Sequence, residues 1–240
     1  MKIIEYDSYS DMSDIAAGIF KQEIINKPDL VIGLATGSTP EGLYKRLVKM
    51  YQDKEISFKD VRTFNLDEYY PIARDDSQSY YSFMHKNLFS HVDIDKNNVH
   101  IPNGECDDAV QECLVYDNLI EACGGVDLQL LGVGGNGHLA FNEPSDFLIA
   151  GTHMTRLDED TIKANSRFFD YEEQVPTHAL TMGMADILKA KKIILLIHGE
   201  SKNEAYSMLC SDRITTMCPV TLLKLHRDVS VLVQKNTKAL

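Results

Sequence analysis

The sequence is short of positive charge. Its 24 lysines and arginines stand against 36 aspartates and glutamates, a formal net charge of -12. That balance excludes a broad nucleic-acid or anionic-membrane footprint, because both polyanions would be repelled. A small anionic ligand is still admissible, but only where a few donors converge on it. Long apolar runs are missing as well. None approaches the ~18 residues of a membrane span, and Met1-Lys2-Ile3-Ile4-Glu5-Tyr6-Asp7 meets charge too early for a signal-peptide core. The cysteines (Cys106, Cys113, Cys123, Cys210 and Cys218) are odd in number, scattered and without a C-x-x-C pair, which suits reduced thiols rather than a disulfide framework. The 8 histidines include no H-E-x-x-H and no helical pair beside acids, so no metal site is expected. No internal repeat, low-complexity tract or Pro/Gly/Ser-rich linker divides the chain. These absences predict a cytoplasmic protein built as one domain over 1–240.

What is present alternates. Apolar, β-branched runs at 3–6, 30–34, 61–66, 127–132, 192–197 and 229–233 read as strands. Longer periodic stretches at 10–26, 42–52, 77–88, 109–123 and 202–210 read as helices between them. Continuous apolar strands separated by helices predict an α/β fold: an open, doubly wound, mostly parallel, Rossmann-like sheet with helices on both faces. The stretch from about 144 to 176 is polar and weakly periodic, and is expected to act as a lid. Ligands of such folds bind beyond the carboxyl ends of the strands, so the residues following each strand are where chemistry is expected.

Four strand ends carry unusual residues. After 30–34 comes Thr36-Gly37-Ser38-Thr39-Pro40-Glu41, a tight turn with hydroxyls entering a helix. This suits an anion, although Ser38 and Glu41 also have capping-box spacing, which needs no ligand. After 61–66 come Asp67 and Glu68, two acids costly to bury unless paired, solvated or used. Asp67 suits a base removing a proton beside a carbonyl or imine; the alternative is a turn cap. After 127–132 comes Gly132-Val133-Gly134-Gly135-Asn136-Gly137-His138, with Glu143 and Pro144 close behind. A G-x-G-x-x-G pattern is embedded there, but a dinucleotide fingerprint should open a long helix, and Pro144 follows Gly137 by only seven residues. The arrangement instead places an imidazole beside a carboxylate that can orient it and raise its pKa. After 192–197, Ser201 and Glu204 have capping-box spacing and predict a helix starting there. Lys202 would sit in its first turn, a poor position for a cation unless an anion shares it. Arg167, in Ser166-Arg167-Phe168-Phe169, is a weaker instance of the same pattern, with a solvated surface arginine as the alternative.

Taken together in their order, Thr36 to Pro40, Asn65-Leu66-Asp67-Glu68-Tyr69, Gly137-His138 through Phe141-Asn142-Glu143-Pro144, Ser166 to Phe169 and Gly199-x-x-Lys202 resemble the glucosamine-6-phosphate deaminase family over nearly the whole chain. The resemblance implies deamination and aldose–ketose isomerisation of glucosamine 6-phosphate to fructose 6-phosphate and ammonia, without a cofactor. It implies Asp67 as the base acting between C2 and C1, and His138 as the group promoting ring opening. Glu143 would orient His138, while Gly37, Ser38, Thr39, Arg167 and Lys202 would bind the 6-phosphate. Asn136 stands where some members carry aspartate, and its implied part is hydrogen bonding that positions His138. Homo-oligomers are common in the family. Allosterically activated members place basic residues where this chain has His153 and Thr155, so hyperbolic kinetics are expected.

Other readings stay open. A 6-phosphogluconolactonase is similar in fold and glycine loop but typically follows its histidine with a Ser-Leu-Phe-Pro-like run. A galactosamine-6-phosphate enzyme would differ at C4, which these motifs do not specify. A non-catalytic sugar-phosphate sensor would be expected to carry a basic helix-turn-helix and to lack Asp67 or His138.

Overall fold

In the computed structural model, residues 1–165 and 175–235 are described. Strand β1 (Lys2–Tyr6) leads to helix α1 (Tyr9–Asn26), whose Ser8 and Asp11 form a capping box. Strand β2 (Val31–Leu34), helix α2 (Glu41–Gln52) and strand β3 (Arg62–Asn65) follow. After β4 (Asp67–Tyr70) come α3 (Tyr80–Asn87), β5 (Val99–His100), α4 (Ala109–Ala122) and β6 (Leu128–Gly132). The chain continues through β7 (His153–Arg156), α5 (Glu159–Asn165), β8 (His178–Thr181), α6 (Met184–Lys189), β9 (Lys192–Ile197), α7 (Asn203–Cys210) and β10 (Val229–Gln234).

Seven strands form one parallel sheet in the order β1-β10-β9-β6-β2-β3-β5, flanked by helices. From β2 the chain steps outward to β3 and β5; from β6 it steps the other way, to β9 and β10. The direction reverses between β2 and β6, and at such a switch point the loops diverge and leave a crevice. Every residue of β2 and all but the first of β9 are buried, as a strand covered on both faces requires. Gly33 is needed in that core, since a Cβ there would fall 2.0 Å from the Gln129 side chain on the neighbouring strand.

Beyond the last ladder bond, a strand-end carbonyl needs another donor. Buried tyrosines supply it at three ends. Tyr44 of α2 donates to Ala35, Tyr116 of α4 to Asn65 at 2.6 Å, and Tyr6 of β1 to Ile197 at 2.5 Å. The strand ends are thereby fixed from behind before their loops begin.

A second sheet of three antiparallel strands, β4-β8-β7, was not expected. Its strands have four residues each. β4 opens on two acids that sequence pattern assigns to loop chemistry, and β7 alternates only weakly. The two-residue β5 and the six-residue α6 were missed for the same reason: they are too short for a period to emerge. The stretch 144–176, read as a lid, carries β7 and α5; residues 166–174, including Arg167, lie outside the described residues.

Candidate active site

The four strand ends singled out by sequence belong to β9, β6, β2 and β3, four consecutive strands straddling the switch point. After β2, Gly37 takes a left-handed φ of +94° that glycine tolerates without strain. The Ser38–Glu41 capping box does not form: α2 starts at Glu41, with Pro40 at its N-cap and no side-chain cap. The turn is held from outside instead. The Tyr9 hydroxyl accepts from the Gly42 N–H at 2.8 Å and directs its proton to the carbonyls of Ser38 and Thr39, at 2.9 and 3.1 Å. No hydrogen bond among the described residues uses the Ser38 or Thr39 hydroxyls.

The end of β9 corrects an expectation. The predicted cap at Ser201 is absent; Glu200–Lys202 is a single 3-10 turn, α7 begins at Asn203, and Lys202 occupies the N-cap position. The Ser201–Glu204 spacing was misleading because Gly199, at φ +93°, swings the chain into a tighter turn first. Lys202 therefore lies just ahead of the helix rather than within its first turn. This turn touches its neighbours on both sides. A Cβ on Gly135 would come within 3.2 Å of the Ser201 carbonyl oxygen. The His198 ring lies 5.1 Å from that of Tyr9, and its Nδ1 is 3.1 Å from the Tyr6 hydroxyl.

After β6 the glycine loop closes on itself through Gly134 N–H to His138 C=O (3.0 Å) and Gly137 N–H to Gly134 C=O (3.1 Å). Gly134 is indispensable for a reason the pattern does not reveal: a Cβ there would lie 2.2 Å from the imidazole of His138. No helix follows Gly137. The chain turns through Ala140, itself at φ +53°, and presents Glu143 to the ring, with His138 Nδ1 to Glu143 Oε2 at 3.0 Å. Asn136 braces both residues, donating to Glu143 Oε2 at 2.8 Å and accepting the His138 N–H at 3.1 Å. The other carboxylate oxygen of Glu143 accepts from the Thr161 hydroxyl at 2.6 Å. Burial alone would push the Glu143 carboxyl up, but hydrogen bonds from His138, Thr161 and Asn136 hold it below its usual range.

Asp67 is the first residue of β4, opposite Thr181 of β8. It is 6% exposed, Glu68 is 2% exposed, and the two differ in their partners. Glu68 accepts the backbone N–H groups of Tyr69, Tyr80 and Tyr81 at 2.8–2.9 Å and so caps α3. No side chain or N–H among the described residues hydrogen-bonds to the carboxylate of Asp67. Burial, and then the charge of Glu68, raise Asp67 to about 8. Burial raises Glu68 to about 7 against the pull of its three N–H donors.

The small sheet joins this corner to the histidine loop. Met182 N–H donates to Leu66 C=O at 2.7 Å, Phe141 N–H to the Thr181 hydroxyl at 3.1 Å, and Asn142 Nδ2 to Met182 C=O at 2.9 Å. Thr161, Thr181 and Tyr9 carry no sequence signal of a role at the site; each is a single hydroxyl on a segment remote from the motifs. Among the described residues no cluster of three or more His, Cys, Asp or Glu side chains is arranged to hold a metal, and no helix is long and apolar enough to cross a membrane.

The model of the glucosamine-6-phosphate isomerases/6-phosphogluconolactonase family matches residues 10–232. A glucosamine-6-phosphate deaminase of Clostridium beijerinckii is 51% identical over 98% of this chain and 97% of its own length. This chain belongs to the glucosamine-6-phosphate deaminase family. Another deaminase of that family, from a Thermoanaerobacter species, is 50% identical over 100% of this chain and 95% of its own. The solved structure of a monomeric glucosamine-6-phosphate deaminase superposes with a TM-score of 0.96 at 44% identity, covering 99% of this chain and 98% of that one. A 6-phosphogluconolactonase from Trypanosoma cruzi shares the fold, with a TM-score of 0.79 at 20% identity over 98% of this chain and 95% of its own. The deaminase family thus shares both fold and sequence with this chain, and the lactonase the fold.

Proposed function

We propose that this protein is a cytoplasmic enzyme that converts glucosamine 6-phosphate and water into fructose 6-phosphate and ammonia. The observation that carries the proposal is the His138–Glu143 pair, 3.0 Å apart, in the loop after β6, across β2 from β3, the strand that leads to the buried Asp67, which is unpartnered among the described residues. His138 moves a proton between the anomeric hydroxyl and the ring oxygen as the C1–O5 bond breaks, and Glu143 stabilises the imidazolium. Asp67 then takes the C2 proton; the electron pair passes through C1 to its oxygen, which is protonated, and loss of one proton from the ammonium to solvent leaves an enolamine. Return of the proton to C1 draws the nitrogen lone pair into a C2 imine. Water adds at C2 and ammonia leaves. Gly37, Ser38, Thr39, Lys202 and Arg167 take the 6-phosphate, and Asn136 holds His138 and Glu143 in register.

An Asp67 pKa near 8 suits this role in a specific way. Before substrate arrives Asp67 is a mostly neutral acid at neutral pH, and the substrate's own ammonium, arriving beside it, favours the carboxylate. The base is thus charged when substrate is bound. Incubation with glucosamine 6-phosphate, without metal or nucleotide, should release ammonia and fructose 6-phosphate in equal amounts. Absence of both products would remove the proposal and leave lactone hydrolysis and simple sugar-phosphate binding to be assayed. Saturation should be hyperbolic and indifferent to N-acetylglucosamine 6-phosphate; sigmoidal curves relieved by that compound would contradict it.

A further inference from the structure

We infer that Thr161, on α5, is a positioning residue for the reaction, holding Glu143 so that its other oxygen serves His138. The inference rests on the proposed part of the His138–Glu143 pair. Glu143 has two oxygens with different duties. Oε2 takes His138 and Asn136, both from the β6 loop, so the loop alone fixes one edge of the carboxylate. Rotation about that edge is resisted at Oε1, where the partner among the described residues is the Thr161 hydroxyl at 2.6 Å. Thr161 is 7% exposed, so little water is at hand to replace its proton if the hydroxyl is lost. A carboxylate left short of a donor in such a place either swings or binds a proton. Either outcome withdraws the charge that orients His138.

The placement of Thr161 adds a second consequence. The β6 loop belongs to the parallel sheet, whereas α5 lies in the stretch between β7 and β8 of the small sheet. Thr161 therefore links the acid–base pair to a segment outside the glycine loop. Glu143 also lines a cleft of about 730 Å³ with His153, Arg156, Asp158 and Glu159, which are the other charged or titratable groups lining it among the described residues.

The test compares wild type with Thr161→Val, which keeps the shape and removes the hydroxyl, and Thr161→Ser, which restores it. In turnover, Thr161→Val should lower kcat about tenfold, the scale of a hydrogen bond to a charged group, with KM changed less than about twofold. Its acid limb should move to higher pH by roughly half a unit, because Glu143 loses a donor to its ionised form. Thr161→Ser should recover both. A Val variant with wild-type kcat and an unmoved acid limb overturns the inference, and so does loss of kcat that Ser fails to restore. A readout free of turnover separates this from the function itself: a carboxyl 13C titration of Glu143, assigned with Glu143→Gln. A higher midpoint in Thr161→Val supports the inference and an unchanged one refutes it, even if wild type releases no ammonia and the proposed function fails.

Discussion

Asp67 and Glu143 are both shielded from water, yet the fold treats them in opposite ways. Glu143 is met by three donors from two segments, and its carboxyl is held below the ordinary range. Asp67 receives no donor among the described residues, sits beside another buried acid, and rises to about 8. The same chemical group is thus held as a charge at one corner and pushed toward its neutral form at the other. Environments that push two carboxyls apart are how a site assigns different work to identical groups. The difference has a local origin: Glu143 ends a tight loop whose Asn136 and His138 side chains turn toward it, whereas Asp67 begins a strand whose N–H groups serve a sheet.

The strongest way to break the contrast is Asp67→Asn. If Asp67 carries the C2 proton, product formation should fall by about 10³-fold or more, since the amide can no longer accept it. The same variant checks the raised pKa through stability. A carboxyl with a native pKa above its unfolded value keeps its stability below about pH 4 and loses it as pH climbs through about 8. Asp67→Asn should therefore unfold at a higher temperature than wild type at pH 8.5, with the difference vanishing at low pH. Equal melting temperatures at both pH values would mean that Asp67 is not held neutral. Next comes Glu143→Gln, which leaves the hydrogen-bonding shape but removes the fixed charge. A loss of about 10²-fold in kcat, on the scale of general acid–base catalysis, with the acid limb erased, is expected; a limb that persists would assign it to another group. Gly134→Ala should cost roughly tenfold or more in kcat, with a normal melting curve, because its methyl enters the space of the His138 ring. The smallest effect is Tyr9→Phe. Removing the hydroxyl that ties 38–42 together should raise KM a few-fold through looser phosphate contacts, at about 1 kcal/mol of stability, and leave kcat nearly unchanged.

The sequence was legible where its signals were long or chemically extreme. Strands β2, β6, β9 and β10 are largely apolar runs, and the helices α1, α2 and α4 have full periods, so the parallel sheet could be foreseen. The motif residues Asp67, His138, Glu143 and Lys202 stand out because acids, imidazole and cations beside apolar strands demand a reason. Four-residue strands have no period to detect, and β4 was hidden because its first two residues are the acids themselves. Capping-box spacing misled at Ser201 and offered an alternative at Ser38 that the chain does not use; a glycine at positive φ near each site sends the backbone elsewhere. Thr161 could not be read at all. Nothing in a threonine eighteen positions after Glu143 announces the bond, which exists only once α5 is laid against the loop.

The small antiparallel sheet works as a bracket between the two corners. Leu66, next to Asp67, is bonded to Met182, and Met182 in turn holds Asn142, next to Glu143. Met182 is thus bonded beside both carboxyls, so a displacement there would reach the Asp67 and Glu143 corners together. A clamp of this kind tolerates adjustment as one piece. For directed evolution, substitutions within β8 should alter which sugars are accepted more readily than they disable the chemistry, whereas changes that cut the bracket at Asn142 should do the reverse.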